Sequence, residues 1–331
     1  MKGQWKHKIF TVSPGGFDDL ALEIFRFQYG HNRLYRQYTD ALGTDPLQVK
    51  YPARIPFLPI GFFKSHTVQT GVQPTQLVFE SSGTTGNVNS RHFIADVELY
   101  RESFTRGFQL HYGKPSDWCI IGLLPSYLER GNSSLVYMVN ELIGQSGHAA
   151  SGFYLDEFDK LSSVLDQLEG QQQPTLLIGV TFALLDFAER YAGNGGAPLH
   201  YTTVMETGGM KGRRKEMIRP EVHDRLRAAF GVPLIHSEYG MTELLSQAYS
   251  HGNGIFQPPP WMRVLVREEE DPLSIHTHAA NGAVNVIDLA NIHSCSFIAT
   301  DDAGRIFDDN SFEIIGRLDN SDLRGCSLLT V

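Results

Sequence analysis

ESSGTTG at 80–86 follows the apolar run Leu77 to Phe79 and gathers hydroxyls and glycines into one short loop. Backbone N–H groups freed by glycine conformations, with the hydroxyls of Ser81, Ser82, Thr84 and Thr85, can wrap a polyphosphate as an anion-binding concavity. The same residues also suit a plain turn. GxxxxGK[ST] is absent, so this is not the P-loop of the common NTPases. Three later stretches add chemistry in a set order: TGGMK at 207–211, SEYGMTE at 237–243 and TDDAGRIFDDNSFEIIGRLD at 300–319. Other familiar centres are missing. There is no CxxC, HExxH or GxSxG, and His111, His200 and His251 read as surface or packing residues.

These loops need elements to hold them. The prolines at 52, 56 and 59 make YPARIPFLPIGFFKSH an extended covering segment rather than a helix, with Lys64 and His66 as surface polar residues behind it. Asp96 is a predicted N-cap for a helix whose Tyr100, Phe104 and Phe108 share one face. WCIIGLL at 118–124 and TLLIGV at 175–180 read as buried strands, and Thr203 to Met205 and Pro233 to Ile235 as further strands. Helices are expected from Ser133, over DEFDKLSSVLDQLEG, over FALLDFAERYAG and from Pro220 to Phe230. This alternation predicts a doubly wound, largely parallel sheet. From QPPPW at 257–261 the texture turns to short β-like runs, so the predicted division is an α/β core at 1–256, a smaller, mainly β part at 257–315 and a tail at 316–331.

Composition sets the outer limits. The 331 residues carry 28 Lys plus Arg against 37 Asp plus Glu, a net charge of −9 with no basic stripe, which argues against a nucleic-acid partner. No apolar run suits a membrane span and the N-terminus lacks an export signal. Three cysteines without paired spacing fit a reducing cytoplasm.

The four ordered motifs resemble the adenylate-forming superfamily, which includes acyl-CoA synthetases, peptide-synthetase adenylation domains and luciferase. The resemblance implies that superfamily's large N-terminal domain, with doubly wound sheets and a small β subdomain. It implies that Ser81, Ser82, Gly83, Thr84, Thr85 and Gly86 grip the phosphates of ATP. Gly208 and Gly209 would line the adenine pocket, and Tyr239, with Gly240 beside it, would stack on adenine. Thr242 would lie near the α-phosphate, Glu243 would hold Mg2+, and Asp302, with Arg317 as its partner, would hold the ribose hydroxyls. A carboxylate attacking the α-phosphorus meets charge repulsion, and Mg2+ with loop donors would offset it.

The pattern also departs from that superfamily. Val88 and Asn89 stand where a Pro-Lys pair often follows the loop, so either Arg91 supplies the positive charge or nothing does. The sequence stops at Val331, just past GRLD, so the superfamily's small C-terminal lid domain with its catalytic lysine is expected to be absent; Lys211, Arg213, Arg214 and Lys215 are weak candidates to replace it. FFKSH, FESSGTTG, YLERGNSSLVYMV, SGFYL, HSEYGMTELLSQAYS and RGCSLL together resemble the LuxE-type acyl-protein synthetases. In that family a fatty acid is activated as acyl-adenylate and passed to a cysteine near the C-terminus, from which a reductase partner takes it.

Cys326 stands at the corresponding place. Read alone it is a small apolar residue; with the family it becomes the acyl acceptor, since a thiolate is a strong nucleophile and its thioester stays reactive. An extended tail from Arg317 to Cys326 spans at most about 30 Å, enough to reach the site. Arg324, two residues before Cys326, is a candidate to lower the thiol pKa, and a tail residue there could equally point away. Two other functions fit the same motifs: an acid:CoA ligase of the phenylacetate-CoA ligase type, and a non-catalytic protein that binds nucleotide or acyl-adenylate for a partner. Phe153, Tyr154, Phe182 and Leu184 suit either an acyl pocket or a core.

Overall fold

The computed structural model describes residues 2–81, 88–124, 132–155, 157–208 and 217–318. Ser82, Gly83, Thr84, Thr85, Gly86, Gly209, the basic residues at 211–215 and Cys326 with Arg324 lie outside the described residues.

Helices Lys2–Phe10, Phe17–His31 and Arg33–Ala41 open the chain. The proline-rich stretch that follows is extended at β1 (Leu58–Pro59), as its prolines require, but closes with a single helical turn at Phe62–Ser65, where no proline opposes it. β2 (Leu77–Glu80) and β3 (Arg91–Ile94) form an antiparallel hairpin around the hydroxyl-rich loop. Asp96 caps the next helix, Val97–Tyr112, accepting from Leu99 N at 3.3 Å. Tyr100, Phe104 and Phe108 on its inner face are buried, each such burial stabilising by about 1.5–3 kcal/mol.

Six strands then build the first sheet: β4 (Cys119–Leu123), β5 (Gly152–Phe153), β6 (Thr175–Val180), β7 (Thr202–Thr207), β8 (His236–Tyr239) and β9 (Ala248–Ser250). Their order is β5-β4-β6-β7-β8-β9, parallel except for β9 at the edge. Every residue of β4 and β6 is buried, as expected of strands covered on both faces. Helices Ser134–Ser146, Phe158–Gly170, Thr181–Gly193 and Arg219–Phe230 supply the connections. β8 begins immediately past the stretch expected from sequence to be a strand: pairing with β7 starts at His236↔Met205, and Pro233 has no N–H to give a ladder.

The second sheet contains β10 (Ile255–Phe256), β11 (Met262–Arg267), β12 (Ile275–His276), β13 (Ala280–Asp288), β14 (Phe297–Ile306) and β15 (Phe312–Arg317), with β1 added in parallel to β14. Apart from β1 it is antiparallel. One hydrophobic core runs through both sheets and the opening helices, from Phe25 to Phe187 and Phe297. Phe182 and Leu184 are buried in it, as is Tyr154. Among the described residues no helix is long and apolar enough to cross a membrane.

Candidate active site

In open parallel sheets ligands bind beyond the carboxyl ends of the strands. β7 ends at Thr207 and β8 at Tyr239, so Gly208 and Gly240 are the first residues past the sheet at that edge. Gly208 has φ +48, a conformation that favours glycine. Gly240 is required by space: a Cβ there would stand 2.4 Å from Glu238 Oε1.

The second sheet brings Asp302 to the same edge. Tyr239 donates its hydroxyl to Asp302 Oδ2 at 2.8 Å, across 63 residues of sequence. Asp302 and Arg317 are register partners on β14 and β15, and Arg317 Nε lies 3.7 Å from Asp302 Oδ1. Burial raises the Asp302 pKa, while the Tyr239 hydrogen bond and the Arg317 charge oppose that rise. Burial, then the Asp302 charge, holds the Tyr239 phenol well above its ordinary value, so it remains a donor. The Tyr239 ring packs against Phe312 and Phe256, with centroids 5.3 and 5.9 Å away. Arg317 keeps 86% of its side-chain surface exposed against 12% for Asp302, so the pair contributes little to stability and the guanidinium faces solvent.

Beyond β8 the chain turns through Thr242 and Glu243. Glu243 is buried, and burial raises its carboxyl pKa; the Ser90 hydroxyl and the charges of Arg317 and Lys64 act the other way. Ser90 also closes the hydroxyl-rich loop. Ser81 N–H donates to the Ser90 carbonyl at 3.0 Å, and Ser90 N–H donates to Ser81 Oγ at 2.9 Å. The loop's two ends are thereby clasped beside the Glu243 carboxylate.

The turn itself is held from three directions. His92 Nδ1 donates to the Thr242 carbonyl at 2.8 Å, and burial pushes this imidazole down to about 4, keeping it neutral. Asn291 Nδ2 donates to the Glu243 carbonyl at 2.7 Å. Asp288, at the end of β13, accepts from Leu245 N at 2.8 Å, Ser246 N at 3.0 Å and Ser246 Oγ at 2.6 Å. None of Ser90, His92, Asp288 and Asn291 was singled out from sequence. Ser90 and His92 carried the better signal, being polar residues just past the loop.

Two more carboxylates lie under the same edge. Glu238 accepts from Thr207 Oγ1 at 2.5 Å, and burial pushes it up to about 7, with neighbouring Glu206 adding to the rise. Glu206 is also buried, but hydrogen bonds from His223 and Ser237 and the Arg219 charge outweigh that and leave its pKa below the usual carboxylate value. Thr207 reaches Glu238 from β7, and Arg219 and His223 reach Glu206 from the helix Arg219–Phe230, pairings that sequence order hides.

Among the described residues no group of three or more His, Cys, Asp or Glu side chains could hold a metal ion alone. Glu243 nevertheless fits Mg2+: it is a buried oxygen donor, and Mg2+ at nucleotide sites takes one or two carboxylates and completes its shell with phosphate oxygens and water.

The family model of the acyl-protein synthetase LuxE matches residues 16–330. The chain belongs to that family. Solved structures agree on the fold. A 2-hydroxyisobutyryl-CoA ligase in complex with 2-HIB-AMP and CoA superposes with TM-score 0.65 at 13% identity, over 91% of this chain and 69% of that one. ATP-bound MatB from Rhodopseudomonas palustris gives 0.52 at 16% identity, over 75% of this chain and 49% of that one. A luciferase-like enzyme from the nonluminescent Zophobas morio mealworm gives 0.54 at 15% identity, over 84% and 62%. This LuxE-family chain thus spans about half the length of MatB and about two thirds of the other two. No curated protein sequence matches it. It has the fold of the large domain of adenylate-forming enzymes, and its family makes it an acyl-adenylate-forming ligase.

Proposed function

We propose that this protein activates a fatty acid with ATP and passes the acyl group to its own Cys326. The observation that carries the reading is the convergence, in a LuxE-family chain, of the Tyr239–Asp302–Arg317 group with Glu243 and the clasped loop end at Ser90. Asp302 has an oxygen to spare for the ribose hydroxyls, and Arg317 stands beside it. The adenine role falls to Tyr239, Gly240, Gly208 and Gly209. The phosphate role falls to Thr242 and Ser81 to Gly86, and Glu243 is the residue that would hold Mg2+. When bound, Mg2+ supplies charge neutralisation to the phosphate oxygens.

The reaction has two halves. A carboxylate oxygen of the acid bonds to the α-phosphorus as the bond to pyrophosphate breaks, giving acyl-adenylate. The Cys326 sulfur, as thiolate, then bonds to the acyl carbon and AMP leaves, the thiol proton passing to solvent. Of residues 316–331, Gly316 and Arg317 belong to β15 and the remainder act as the tail that carries this thiol, and an acyl-protein reductase fits as the partner that collects the product.

Incubation with ATP, Mg2+ and a panel of acids is expected to give a hydroxylamine-labile mass increase on the intact protein, absent from Cys326→Ser. Retention of the adduct by that variant would refute the acceptor assignment. Acyl-CoA release independent of Cys326 would instead favour an acid:CoA ligase.

A further inference from the structure

Lys64 lies in the single helical turn Phe62–Ser65, and the segment before that turn and the turn itself are fastened to strands bearing the site. Upstream, β1 pairs with β14 at Leu58↔Ile298 and Pro59↔Ala299, and Ile60 N–H donates to the Ala299 carbonyl at 2.9 Å. Asp302 lies a few residues further along that same strand. Within the turn, Phe62 meets Tyr38 edge-on at 5.8 Å and stacks on His66 at 5.2 Å. Phe63 is buried and meets His92 edge-on at 5.6 Å, and His92 is the residue that holds the Thr242 carbonyl.

With both aromatic neighbours committed to packing, Lys64 is left exposed. It enters no salt bridge among the described residues, and its charge bears on the Glu243 carboxylate. The two ends of the site also differ. Asp302 and Tyr239 mark one, while Ser81, Ser90 and β3 mark the other, where the hydroxyl-rich loop begins and ends. Lys64 approaches from the β3 side, through Phe63 and His92.

We propose that Lys64 is a phosphate-binding residue of this site, its ammonium placed to engage the β- and γ-phosphate oxygens of ATP and then the departing pyrophosphate. The proposal rests on the adenylating function above and adds a residue to it. A lysine ammonium is a compact point charge suited to phosphate. As the carboxylate oxygen bonds to the α-phosphorus, the bond from that phosphorus to the bridging oxygen breaks and pyrophosphate takes the electron pair. The hydrogen bond from the Lys64 ammonium strengthens as charge gathers on the leaving group.

Calorimetric titration of the full chain with ATP, AMP and inorganic pyrophosphate, in the presence of Mg2+, tests this. Lys64→Met is expected to weaken ATP and pyrophosphate roughly ten- to hundredfold, the range of one lost charge-assisted hydrogen bond, and to leave AMP affinity and thermal unfolding unchanged. Lys64→Arg should restore most of the loss, and it tests the same point if the methionine variant folds poorly. Equal weakening of ATP and AMP, or of neither, overturns the proposal. Pyrophosphate exchange separates it from the parent reading. A wild-type chain that exchanges with no acid, yet loses its ATP-over-AMP preference in Lys64→Met, sinks adenylation and upholds Lys64. Exchange and ATP affinity both unchanged in Lys64→Met uphold adenylation and sink Lys64.

Discussion

Asp288 and Asp302 are both buried carboxylates on neighbouring strands of one sheet, and they are used in opposite ways. Asp288 accepts four hydrogen bonds: Leu245 N, Ser246 N and Ser246 Oγ on one side, and Ala290 N at 3.1 Å on the other. Its lone pairs are committed, and burial still pushes its pKa up to about 6. Asp302 accepts the Tyr239 hydroxyl and its own strand's register brings Arg317 alongside, but one oxygen keeps only that loose 3.7 Å ion pair. A carboxylate accepts about four hydrogen bonds. The saturated one fixes the chain; the unsaturated one has capacity left for a ligand. Asp288 therefore sets the turn that carries Glu243, and Asp302 keeps acceptor capacity for the proposed ligand.

Removing the saturated carboxylate should do the most damage. Asp288→Ala leaves the Leu245 and Ser246 amides buried without an acceptor, an expected loss of about 2–4 kcal/mol, read as a lower midpoint in denaturant unfolding. Asp302→Asn should invert that outcome. Its unfolding midpoint is expected to stay close to wild type while nucleotide affinity falls roughly ten- to hundredfold by calorimetry; a large stability loss here would erase the contrast. The smallest effect concerns Glu238. Its folded pKa of about 7 lies above the unfolded value near 4.5, so the native state holds a proton that the unfolded chain releases. That contribution is complete below about pH 4.5 and is lost as pH rises through about 7. Glu238→Gln should flatten the stability change across this window, as followed by unfolding at each pH.

Local signals were legible in the sequence where one residue sufficed to give them. Asp96 announces a helix start because capping is a contact three residues long, and TLLIGV at 175–180 declares a buried strand by composition alone. The order of strands and helices between 118 and 230 followed, and with it the fold of the large domain. The strand expected at 233–235 failed because an apolar run does not say where its neighbour's ladder begins. In the candidate site, Tyr239, Glu243 and Asp302 stood out through ordered motifs. Their supports did not. His92 and Thr242 are 150 residues apart in sequence, and Asn291 and Glu243 are 48 apart. No spacing rule joins such pairs, since the two sheets must first pack before either partner meets the other.

The pairing of Asp302 with Arg317 has a mechanical side. The sheet's last described backbone hydrogen bond on β15 runs from Leu318 N to the Asp301 carbonyl at 2.8 Å, one residue beyond Arg317. Among the described residues the guanidinium is carried next to the end of that ladder. Unpairing the last two described rungs there would withdraw the cation from Asp302, so the charge beside that carboxylate depends on β15 staying zipped to β14.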